Sequence, residues 1–544
     1  MRLTAKHWQS IALLLVAIGV AAVLRLVGIG WGLPTVGNYH QSFHPDEAHK
    51  LRVITSLDLS QLQLNPHWFV KGTLQFYILG AAFKVADLAG LVELRSSWAY
   101  ADNPDQLARL YLIGRVLTVT MSLATVVLTF VLGSLLYNRW VGLAAALLMS
   151  VLPVEAVNAH YMKTDVPMAF WLSVGGILAI MIWRHGSWRW YLATGLVIGL
   201  ATATKYSSLA FWGVPLIAHL FRLTGSPNPT LLLRHLLSPR LLLLYGSALL
   251  GFLAGCPYCL LAFDEFKAGI MEPFEPNTRN DLFLDGMERG PILAHYLTNI
   301  MYYSLGLPLH VLALAGMAFA LWRRRKAEVF LLAWLVPYLV SANALGYGFA
   351  RYLVPLGPPM MLLVAALFNS IVKAPGLVSI RPVKAIALAS LGAALLYSAL
   401  YSFAYVSFMA KEDVRDEASR WIRDNIPSNS RIGLARPYFY TPTIDEKRYL
   451  LLKLDMDAQA LRNEEPDYFL ITNYEYRQYL RMPDTFPAEA AFMAYLDGGR
   501  EYKEIQTFER SPSLMGIKLP NAFPPHDWMY PYPTIRIFKR ADNS

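Results

Sequence analysis

The sequence predicts an α-helical polytopic membrane protein that ends in a small α/β domain outside the membrane. Of its 544 residues, 55% are hydrophobic and 16% are charged, whereas soluble domains carry about 25% charged residues. Many apolar runs have the length of about 20 residues that a membrane-spanning helix needs. From Lys411 onward such runs are missing, and short alternating segments typical of strands replace them.

About eleven transmembrane helices are predicted. The first follows Arg2 and Lys6 like a secretory signal, but the many further runs favour a retained span. The short pair 189–204 and 206–221 fits either two crossings or one re-entrant hairpin. The segments lie near residues 10–30, 107–136, 140–159, 165–183, 189–204, 206–221, 240–262, 298–322, 328–346, 352–372 and 384–408.

The basic residues predict which side each connection occupies. With the N-terminus inside, the inner connections hold fifteen Lys and Arg, and the outer ones hold eight when the long 31–105 loop is left out. Because basic residues favour the cytoplasmic side, the 31–105 loop and a second large loop at 263–297 are predicted to lie outside, on the side of the membrane away from the cytoplasm. The net charge of +10 therefore reflects topology rather than a nucleic-acid partner, since the basic residues form short clusters between apolar runs.

The tail has the pattern of a folded domain. ASRWIRDNIP has the periodicity of an amphipathic helix, whereas RIGLAR, PDYFLIT, YKEIQTF and TIRIFKR have the pattern of strands bounded by Pro, Gly and Asn. An odd number of spans places this tail outside. We assign residues 1–410 to the transmembrane domain and residues 411–544 to an extracytoplasmic α/β domain.

The first outer loop is too long to be a simple connection. Its apolar segment GTLQFYILGAAF, between Lys71 and Lys84, has 12 residues and suits a helix in the membrane interface. Such a helix can frame a groove open to lipid. Lys71 at its head is then expected at the depth of a lipid phosphate.

Ionisable side chains that border the bilayer are costly and mark functional sites by default. In this chain they converge on the outer face, whereas a transporter typically holds its charges near the midplane. They are His44, Asp46 and Glu47 in SFHPDEAHK, Arg115 in the second span, Asp165 in YMKTDVPMAF, Lys205 in TKYSS and Arg351 in GFARYLVPLGPP.

This set of side chains suits transfer of a sugar from a lipid phosphate. The phosphate is a good leaving group, so one carboxylate must take the acceptor's proton while cations hold the departing charge. Asp46, with Glu47 beside it, is the candidate base, and a single base predicts inversion at the anomeric carbon. Asp165 is a second carboxylate that orients the acceptor or pins a first-loop helix. The candidate phosphate-binding residues are Lys71, Lys205 and Arg351.

Purely structural roles are the alternative explanation for each of these residues. Asp46 and Glu47 fit the start of an interfacial helix, and Asp165 fits the cap of its span. Lys205 and Arg351 fit cations that snorkel at span ends. Arg115 fits a structural partner for a carboxylate.

A metal is the minority hypothesis. His44 and His49 with Asp46 and Glu47 offer the ligand types of zinc or manganese, but Pro45 interrupts the spacing and no HExxH or paired CxxC pattern occurs. We expect that no cofactor is required and keep a divalent metal open. Cys256 and Cys259, in the apolar stretch GCPYCLL, are expected as buried small side chains rather than a redox pair.

Five motifs in order carry a family resemblance: HPDE, NPHWFVKGTLQFYIL, KTDVPMAF, GLATATKYSSL and RYLVPLGP. Together they resemble the bacterial protein-O-mannosyltransferase superfamily, whose relatives include the lipid A aminoarabinose transferases. The resemblance covers roughly residues 1–410 and is strongest over 40–215. It implies the C-type glycosyltransferase fold, with interfacial helices in the first outer loop, a periplasmic cavity and a polyprenyl-phosphate sugar donor.

The resemblance also implies roles for single residues. Asp46 matches the acidic residue taken as the base, and Glu47 matches its neighbour. Lys71 matches a lysine at the lipid phosphate, Asp165 the second acidic motif, and Arg351 a basic residue ahead of a late proline. Lys71 precedes Gly72 and Thr73, where relatives often carry two prolines, and the tail lacks the motifs of eukaryotic protein mannosyltransferases.

The predicted function is an inverting hexosyl- or pentosyltransferase at the outer face of the cytoplasmic membrane. Its expected partners are a polyprenyl-phosphate-linked sugar, a protein, lipid or glycan acceptor, and membrane lipid. One alternative is a transporter or flippase for lipid-linked sugars. Another is a transferase that uses a pyrophosphate-linked oligosaccharide, which favours a metal.

Overall fold

A computed structural model describes residues 5–35, 42–58, 61, 63–95, 100, 103–222, 229–272, 292–344, 348–374, 380–435, 440–520 and 524–541. Most of these residues are helical. The α-helices are α1 (Ala5–Leu26), α2 (Pro45–Thr55), α3 (Leu74–Leu88), α4 (Pro104–Leu136), α5 (Arg139–Ser150), α6 (Pro153–Asn158), α7 (Asp165–His185), α8 (Trp188–Thr204), α9 (Gly213–Leu220), α10 (Pro229–Leu236), α11 (Pro239–Gly255), α12 (Tyr258–Leu261), α13 (Phe263–Met271), α14 (Ile292–His295), α15 (Met301–Leu305), α16 (Leu307–Arg323), α17 (Lys326–Ala344), α18 (Gly357–Lys373), α19 (Arg381–Met409), α20 (Val414–Asn425), α21 (Ala458–Glu464), α22 (Asn473–Arg481) and α23 (Pro487–Asp497).

The helices confirm a multi-pass membrane protein. Within the described residues, six helical segments are long and apolar enough to cross a bilayer, and two shorter apolar helices, Arg139–Ser150 and Leu307–Arg323, accompany them. The number of eleven crossings stays a prediction. The six segments are Trp8–Leu26, Pro104–Leu136, Asp165–His185, Leu233–Gly255, Ala350–Lys373 and Arg381–Asn425.

Several predicted spans are interrupted at their ends near the first-loop helices, on the side predicted to face outward. The 140–159 segment is split because α6 begins at Pro153, which has no N–H to continue the α5 hydrogen-bond ladder. The 352–372 segment begins as a 3₁₀ helix, Ala350–Leu356, before α18. These breaks place polar backbone and side chains beside the first outer loop, where the candidate site lies.

The first outer loop carries two helices, α2 and α3. The interfacial helix predicted over residues 72–83 is observed as α3, Leu74–Leu88. Leu51 and Ile54 of α2 pack with Phe76 and Leu79 of α3, and Leu110 of α4 joins them in one buried cluster. This apolar contact holds the start of α2 against the membrane helices. Of the second large loop, predicted over 263–297, residues 273–291 lie outside the described residues.

The tail forms the predicted α/β fold. Its main sheet has the order β2-β1-β3-β7-β4, with β1 parallel to β2 and β3, and with β7 antiparallel to β3 and β4. Helix α20 packs on one face of the sheet, and α21 and α23 pack on the other. The strands are β1 (Arg431–Leu434), β2 (Leu450–Lys453), β3 (Tyr468–Thr472), β4 (Tyr502–Phe508), β5 (Ser513–Leu514), β6 (Ile517–Lys518) and β7 (Ile535–Arg540). The sequence analysis does not predict β2 or the β5–β6 pair, because these stretches are short.

Candidate functional site

His44, not Asp46, caps helix α2. Its Nδ1 accepts a hydrogen bond of 3.2 Å from the backbone N–H of Asp46, and Pro45 occupies the first helical position, where its missing N–H costs nothing. His44 has an extended backbone and precedes the helix, so Pro45 interrupts the helical spacing between His44 and Asp46 as expected. The alternative in which Asp46 is the cap is wrong. As a result the Asp46 carboxylate is not used by its own helix.

Asp46 lies between two cations. Its Oδ1 is 3.3 Å from Nζ of Lys71, and its Oδ2 is 3.7 Å from Nη1 of Arg351. Both distances exceed the roughly 2.7–2.9 Å of a strong charge-assisted hydrogen bond. Neither Asp46 Oδ2 nor Arg351 Nη1 has a hydrogen-bond partner among the described residues. These two atoms are thus available to a ligand.

The charges of the site keep Asp46 ionised. Burial disfavours the carboxylate, but Lys71 and then Arg351 outweigh it and hold the pKa of Asp46 well below its usual range. Burial, followed by the charge of Lys163, holds the pKa of His44 well below its usual range. His44 is therefore neutral. Because its Nδ1 accepts a hydrogen bond, its proton lies on Nε2.

Asp165 and Lys205 form a second, closed pair. Asp165 begins α7, whose cap position is held by Thr164, so the expectation that Asp165 is the cap is wrong. Nζ of Lys205 lies 2.5 Å from Oδ1 of Asp165, and the lysine side chain is 12% exposed. Lys205 therefore does not snorkel toward water. The ring of Tyr352 separates the pairs, with its centre 4.5 Å from Nζ of Lys205 and 5.9 Å from the Arg351 guanidinium carbon.

Glu47 is held by a fully buried network. Arg115 donates to both of its carboxylate oxygens, at 2.9 and 2.7 Å. The backbone N–H of Met162 donates at 2.7 Å, and the Ser42 hydroxyl donates at 2.5 Å. The side chains of Glu47 and Arg115 have 0% exposure. Because four donors occupy this carboxylate, it is poorly placed to take a proton from a substrate.

Gly72 explains how Lys71 reaches the site. A Cβ atom on Gly72 would lie 2.1 Å from the backbone oxygen of Ala203 at the end of α8. Only glycine allows the two backbones to approach so closely. The Thr73 hydroxyl then donates to the Gly255 carbonyl oxygen at 2.7 Å. Gly72 and Thr73, which stand where relatives often carry two prolines, therefore pack this loop against the ends of α8 and α11.

Cys256 and Cys259 lie in the same region, and both thiols are buried and free. They pack with Phe69 and Ala203 in a small apolar cluster beside the Lys71 loop. The prediction of buried small side chains is therefore correct for this pair.

Two buried lysines join the site without having been singled out from the sequence. Lys163 is 2% exposed and donates to Asn158 Oδ1 at 3.1 Å. Burial, and then Arg351, lower the pKa of Lys163 to about 8. Lys50 donates to the Met162 carbonyl oxygen at 3.3 Å, and burial followed by Lys71 lowers its pKa well below the usual range. In the sequence, Lys163 could have been noticed because it lies two residues before the candidate carboxylate Asp165.

The outer domain also reaches the site. Asp527 accepts hydrogen bonds from the backbone N–H groups of Ala350, at 2.9 Å, and Arg351, at 3.0 Å. The sequence analysis misses Asp527 because it lies far along the tail. Its signal is the proline- and aromatic-rich stretch PPHDWMYPYP, which is unusual for a connection on a soluble surface.

The HPDEAH cluster does not form a metal site within the described residues. Among them, no group of three or more His, Cys, Asp and Glu side chains is close enough to hold a metal ion. Glu47 is saturated by its four donors, and the His49 ring lies 4.4 Å from the Trp68 ring. Asp46 and Asp165 each contact a cation, and this surrounding charge suits an anionic ligand better than a metal cation.

Comparison with known proteins gives a family match over part of the chain and solved structures with a similar fold. The family described as dolichyl-phosphate-mannose-protein mannosyltransferase matches residues 112–250, a stretch that contains Lys163, Asp165 and Lys205. No protein of curated function is significantly similar in sequence.

Solved structures share the fold at low sequence identity. ArnT from Cupriavidus metallidurans, bound to undecaprenyl phosphate, is 13% identical, with 98% of each chain covered and a TM-score of 0.51. The archaeal oligosaccharyltransferase AglB from Archaeoglobus fulgidus, in complex with an inhibitory peptide and a dolichol-phosphate, is 13% identical, with 94% of this chain and 75% of that chain covered and a TM-score of 0.53.

The protein therefore has the C-type fold of membrane glycosyltransferases. The resemblance that the motifs indicate is confirmed, and a glycosyltransferase is the class of enzyme that the family match and the fold support.

Proposed function

We propose that the protein is an inverting glycosyltransferase. It moves a hexosyl or pentosyl unit from a polyprenyl-phosphate carrier to an acceptor at the outer face of the cytoplasmic membrane. The main support is the position of Asp46 between Lys71 and Arg351, where Asp46 Oδ2 accepts no hydrogen bond from, and Arg351 Nη1 donates none to, any described residue. A proton acceptor and two phosphate-binding cations thereby share one space.

In the proposed reaction the donor phosphate binds Lys71 and Arg351. Arg351 offers a planar fork for two phosphate oxygens, and Lys71 acts as a point charge. Once the phosphate shares these cations, they stabilise the Asp46 carboxylate less, and its pKa rises toward the range of an effective base. Donor binding therefore activates the base.

Bond making and breaking then follow in one displacement. Asp46 Oδ2 takes the proton of the acceptor hydroxyl, and the acceptor oxygen forms a bond to the anomeric carbon. The bond from that carbon to the phosphate oxygen breaks, and the phosphate leaves with the electron pair. Attack from the opposite face inverts the anomeric centre, because no carboxylate nucleophile intervenes.

The other residues hold this arrangement. Glu47 and Arg115 fix the start of α2, and His44 orders its first turn, so these are positioning residues. Asp165 orients the acceptor, and Lys205 neutralises the charge of Asp165. Lys205 is also a third contact for the phosphate, beside Lys71 and Arg351. Helix α3 lies where the polyprenyl chain enters from the outer leaflet.

Two structural neighbours support the kind of partner. ArnT is bound to undecaprenyl phosphate, and AglB is in complex with dolichol-phosphate. A second Archaeoglobus fulgidus oligosaccharyltransferase structure, 14% identical with a TM-score of 0.52 over 95% of this chain and 75% of that chain, carries a tethered acceptor peptide. The acceptor of the present protein belongs to the class of proteins, lipids or glycans with a free hydroxyl or comparable nucleophile.

The test is sugar transfer by purified protein in proteoliposomes. Synthetic polyprenyl-phosphate hexoses and pentoses serve as donors, and envelope fractions serve as acceptors. Asp46→Asn is expected to fold and bind undecaprenyl phosphate, but to lose transfer by ~100-fold or more, as is typical when a general base is removed. Asp87→Asn makes the same change on α3, where Asp87 pairs with Lys84, and should transfer like the parent. Full turnover by Asp46→Asn would contradict the proposal.

A second candidate is transfer from a pyrophosphate-linked oligosaccharide. One Archaeoglobus fulgidus oligosaccharyltransferase structure is described as a complex with Zn and sulfate, and a metal would suit the larger anionic group. Activity that EDTA abolishes and a divalent ion restores would favour this candidate. Activity that EDTA leaves unchanged would favour the polyprenyl-phosphate donor.

A further inference from the structure

A short segment of the C-terminal domain, His526–Tyr530, contacts the candidate site, and we name it the bridging segment. All five of its residues are buried, although connections in folded domains usually run over the surface. Trp528, Met529 and Tyr530 belong to the same apolar cluster as the membrane helices. The carbonyl oxygen of Trp528 accepts a hydrogen bond from the Tyr405 hydroxyl of α19. The segment is therefore fixed against the membrane domain.

One end of the bridging segment holds the backbone of Arg351. The first N–H groups of a helix have no partner within that helix. At the 3₁₀ helix Ala350–Leu356, the carboxylate of Asp527 accepts from the first two, those of Ala350 and Arg351. The guanidinium carbon of Arg351 lies 3.9 Å from the centre of the Phe349 ring. Backbone and side chain of Arg351 are thus restrained together.

The other end contacts the start of α2. The Tyr530 ring lies edge-on to the His44 ring, with 4.8 Å between the ring centres, and His44 caps the helix that carries Asp46. The Tyr530 carbonyl oxygen accepts from Nη2 of Arg415 at 2.8 Å, and Arg415 pairs with Asp413 at 2.7 Å. The bridging segment therefore contacts Arg351 through Asp527, and through Tyr530 it contacts His44, the cap of the helix that carries Asp46.

We infer that the bridging segment sets the separation of Asp46 and Arg351, and that Asp527 is the positioning residue for Arg351. The outer domain is then a required part of the site rather than an attached module. The inference deepens the proposed function and rests on it in assigning the donor phosphate to Arg351. Asp527 contacts Arg351 at its backbone N–H, 3.0 Å away, so it acts on the donor phosphate through this residue.

The experiment combines a double-mutant cycle with hydrogen–deuterium exchange on the full-length protein. Binding of undecaprenyl phosphate is measured for the parent, Asp527→Ala, Arg351→Ala and the double variant. Asp527→Asn keeps one acceptor oxygen and tests partial rescue. Asp457→Ala is the matched control, because the exposed Asp457 accepts from two backbone N–H groups at the start of α21, at 2.8 and 3.2 Å, away from the site.

If the inference is correct, Asp527→Ala weakens binding about tenfold in the parent and leaves it unchanged in the Arg351→Ala background. Such a loss of additivity is expected only for residues that act together. Asp527→Asn should recover part of the affinity, and Asp457→Ala should bind like the parent. In the peptide that covers residues 349–356, amide exchange should be faster in Asp527→Ala than in either the parent or Asp457→Ala.

The outcomes separate this inference from the proposed function. A parent that does not bind undecaprenyl phosphate contradicts the proposed function, while faster exchange in Asp527→Ala still supports the positioning of Arg351. Additive effects of the two substitutions, or exchange that Asp527→Ala leaves unchanged, would overturn the role of Asp527 even when the parent binds and transfers.

Discussion

Replacing each of the neighbouring carboxylates Asp46 and Glu47 by its amide should have opposite effects. The Asp46→Asn change should remove sugar transfer and leave stability unchanged, whereas Glu47→Gln should lower stability and largely keep transfer. Glu47→Gln keeps the shape of the side chain but leaves the buried Arg115 without a counter-charge. Removing one partner of a buried ion pair costs about 3–5 kcal/mol. Because the amide oxygen can still accept from Met162 or Ser42, we expect the lower end, about 3 kcal/mol. For a chain of 544 residues, whose unfolding entropy is about 1.1 kcal/mol/K at the per-residue average, this corresponds to a fall in the apparent melting temperature of roughly 3 °C.

The assay measures thermal unfolding in detergent and, in parallel, transfer per folded molecule. Asp46→Asn should melt near the parent temperature and lose transfer, because its contacts to Lys71 and Arg351 are long and partly exposed and such pairs stabilise little. Glu47→Gln should melt lower and keep transfer within a few-fold when corrected for the folded fraction. A Glu47→Gln protein that melts like the parent but has lost ~100-fold in transfer would refute this reasoning and make Glu47 the base.

Three further predictions concern pH, charge and packing. The pKa of Asp46 in the folded protein lies well below its usual value. Because kcat/KM reports the free enzyme, it should not fall between about pH 7 and 5 through protonation of Asp46. By contrast, kcat should fall at acid pH, because the bound phosphate raises this pKa. Lys163 has a pKa of about 8 and is charged below that pH. Binding of undecaprenyl phosphate should therefore weaken as the pH rises through 8. The Lys163→Gln variant should bind more weakly than the parent at pH 7, and its binding should depend less on pH. The Gly72→Ala variant should bind undecaprenyl phosphate about tenfold more weakly, because its Cβ would lie 2.1 Å from the backbone of Ala203 and would displace Lys71. The control is Gly246→Ala, whose Cβ would have no atom within 4 Å. It should bind like the parent.

Local pattern was sufficient to predict much of this molecule. The length of the apolar runs predicted the membrane helices, and the short apolar run in PDYFLIT, which follows Pro466, predicted the buried strand β3. The first-loop helix followed from 12 apolar residues between two lysines. In each case the signal lies within one element, where the period of the side chains reports which face is buried.

What the sequence did not reveal depends on contacts between distant residues. Glu47 is saturated by its donors because Arg115, which is 68 positions away, pairs with it rather than with Asp46. Asp527 meets Arg351 across 176 positions, and no periodicity reports such a contact. Lys163 was visible as a basic residue, but its burial beside the carboxylates depends on how α6 and α7 are joined.

The charges of the site balance both the substrate and the product of the proposed reaction. The site holds four cations and three carboxylates, so its net charge is +1. The phosphate of the donor is a diester and carries one negative charge, which this net charge balances. After transfer Asp46 is protonated, so two positive charges remain, and the released polyprenyl phosphate is a monoester that carries close to two negative charges at neutral pH. Lys50, whose pKa is lowered well below the usual range, donates to a carbonyl and is left out of this balance. The proton that Asp46 gains thus matches the charge that the leaving phosphate gains, and the cations stabilise that phosphate more as its bond breaks. The cations are Lys71, Lys163, Lys205 and Arg351, and the carboxylates are Asp46, Asp165 and Asp527.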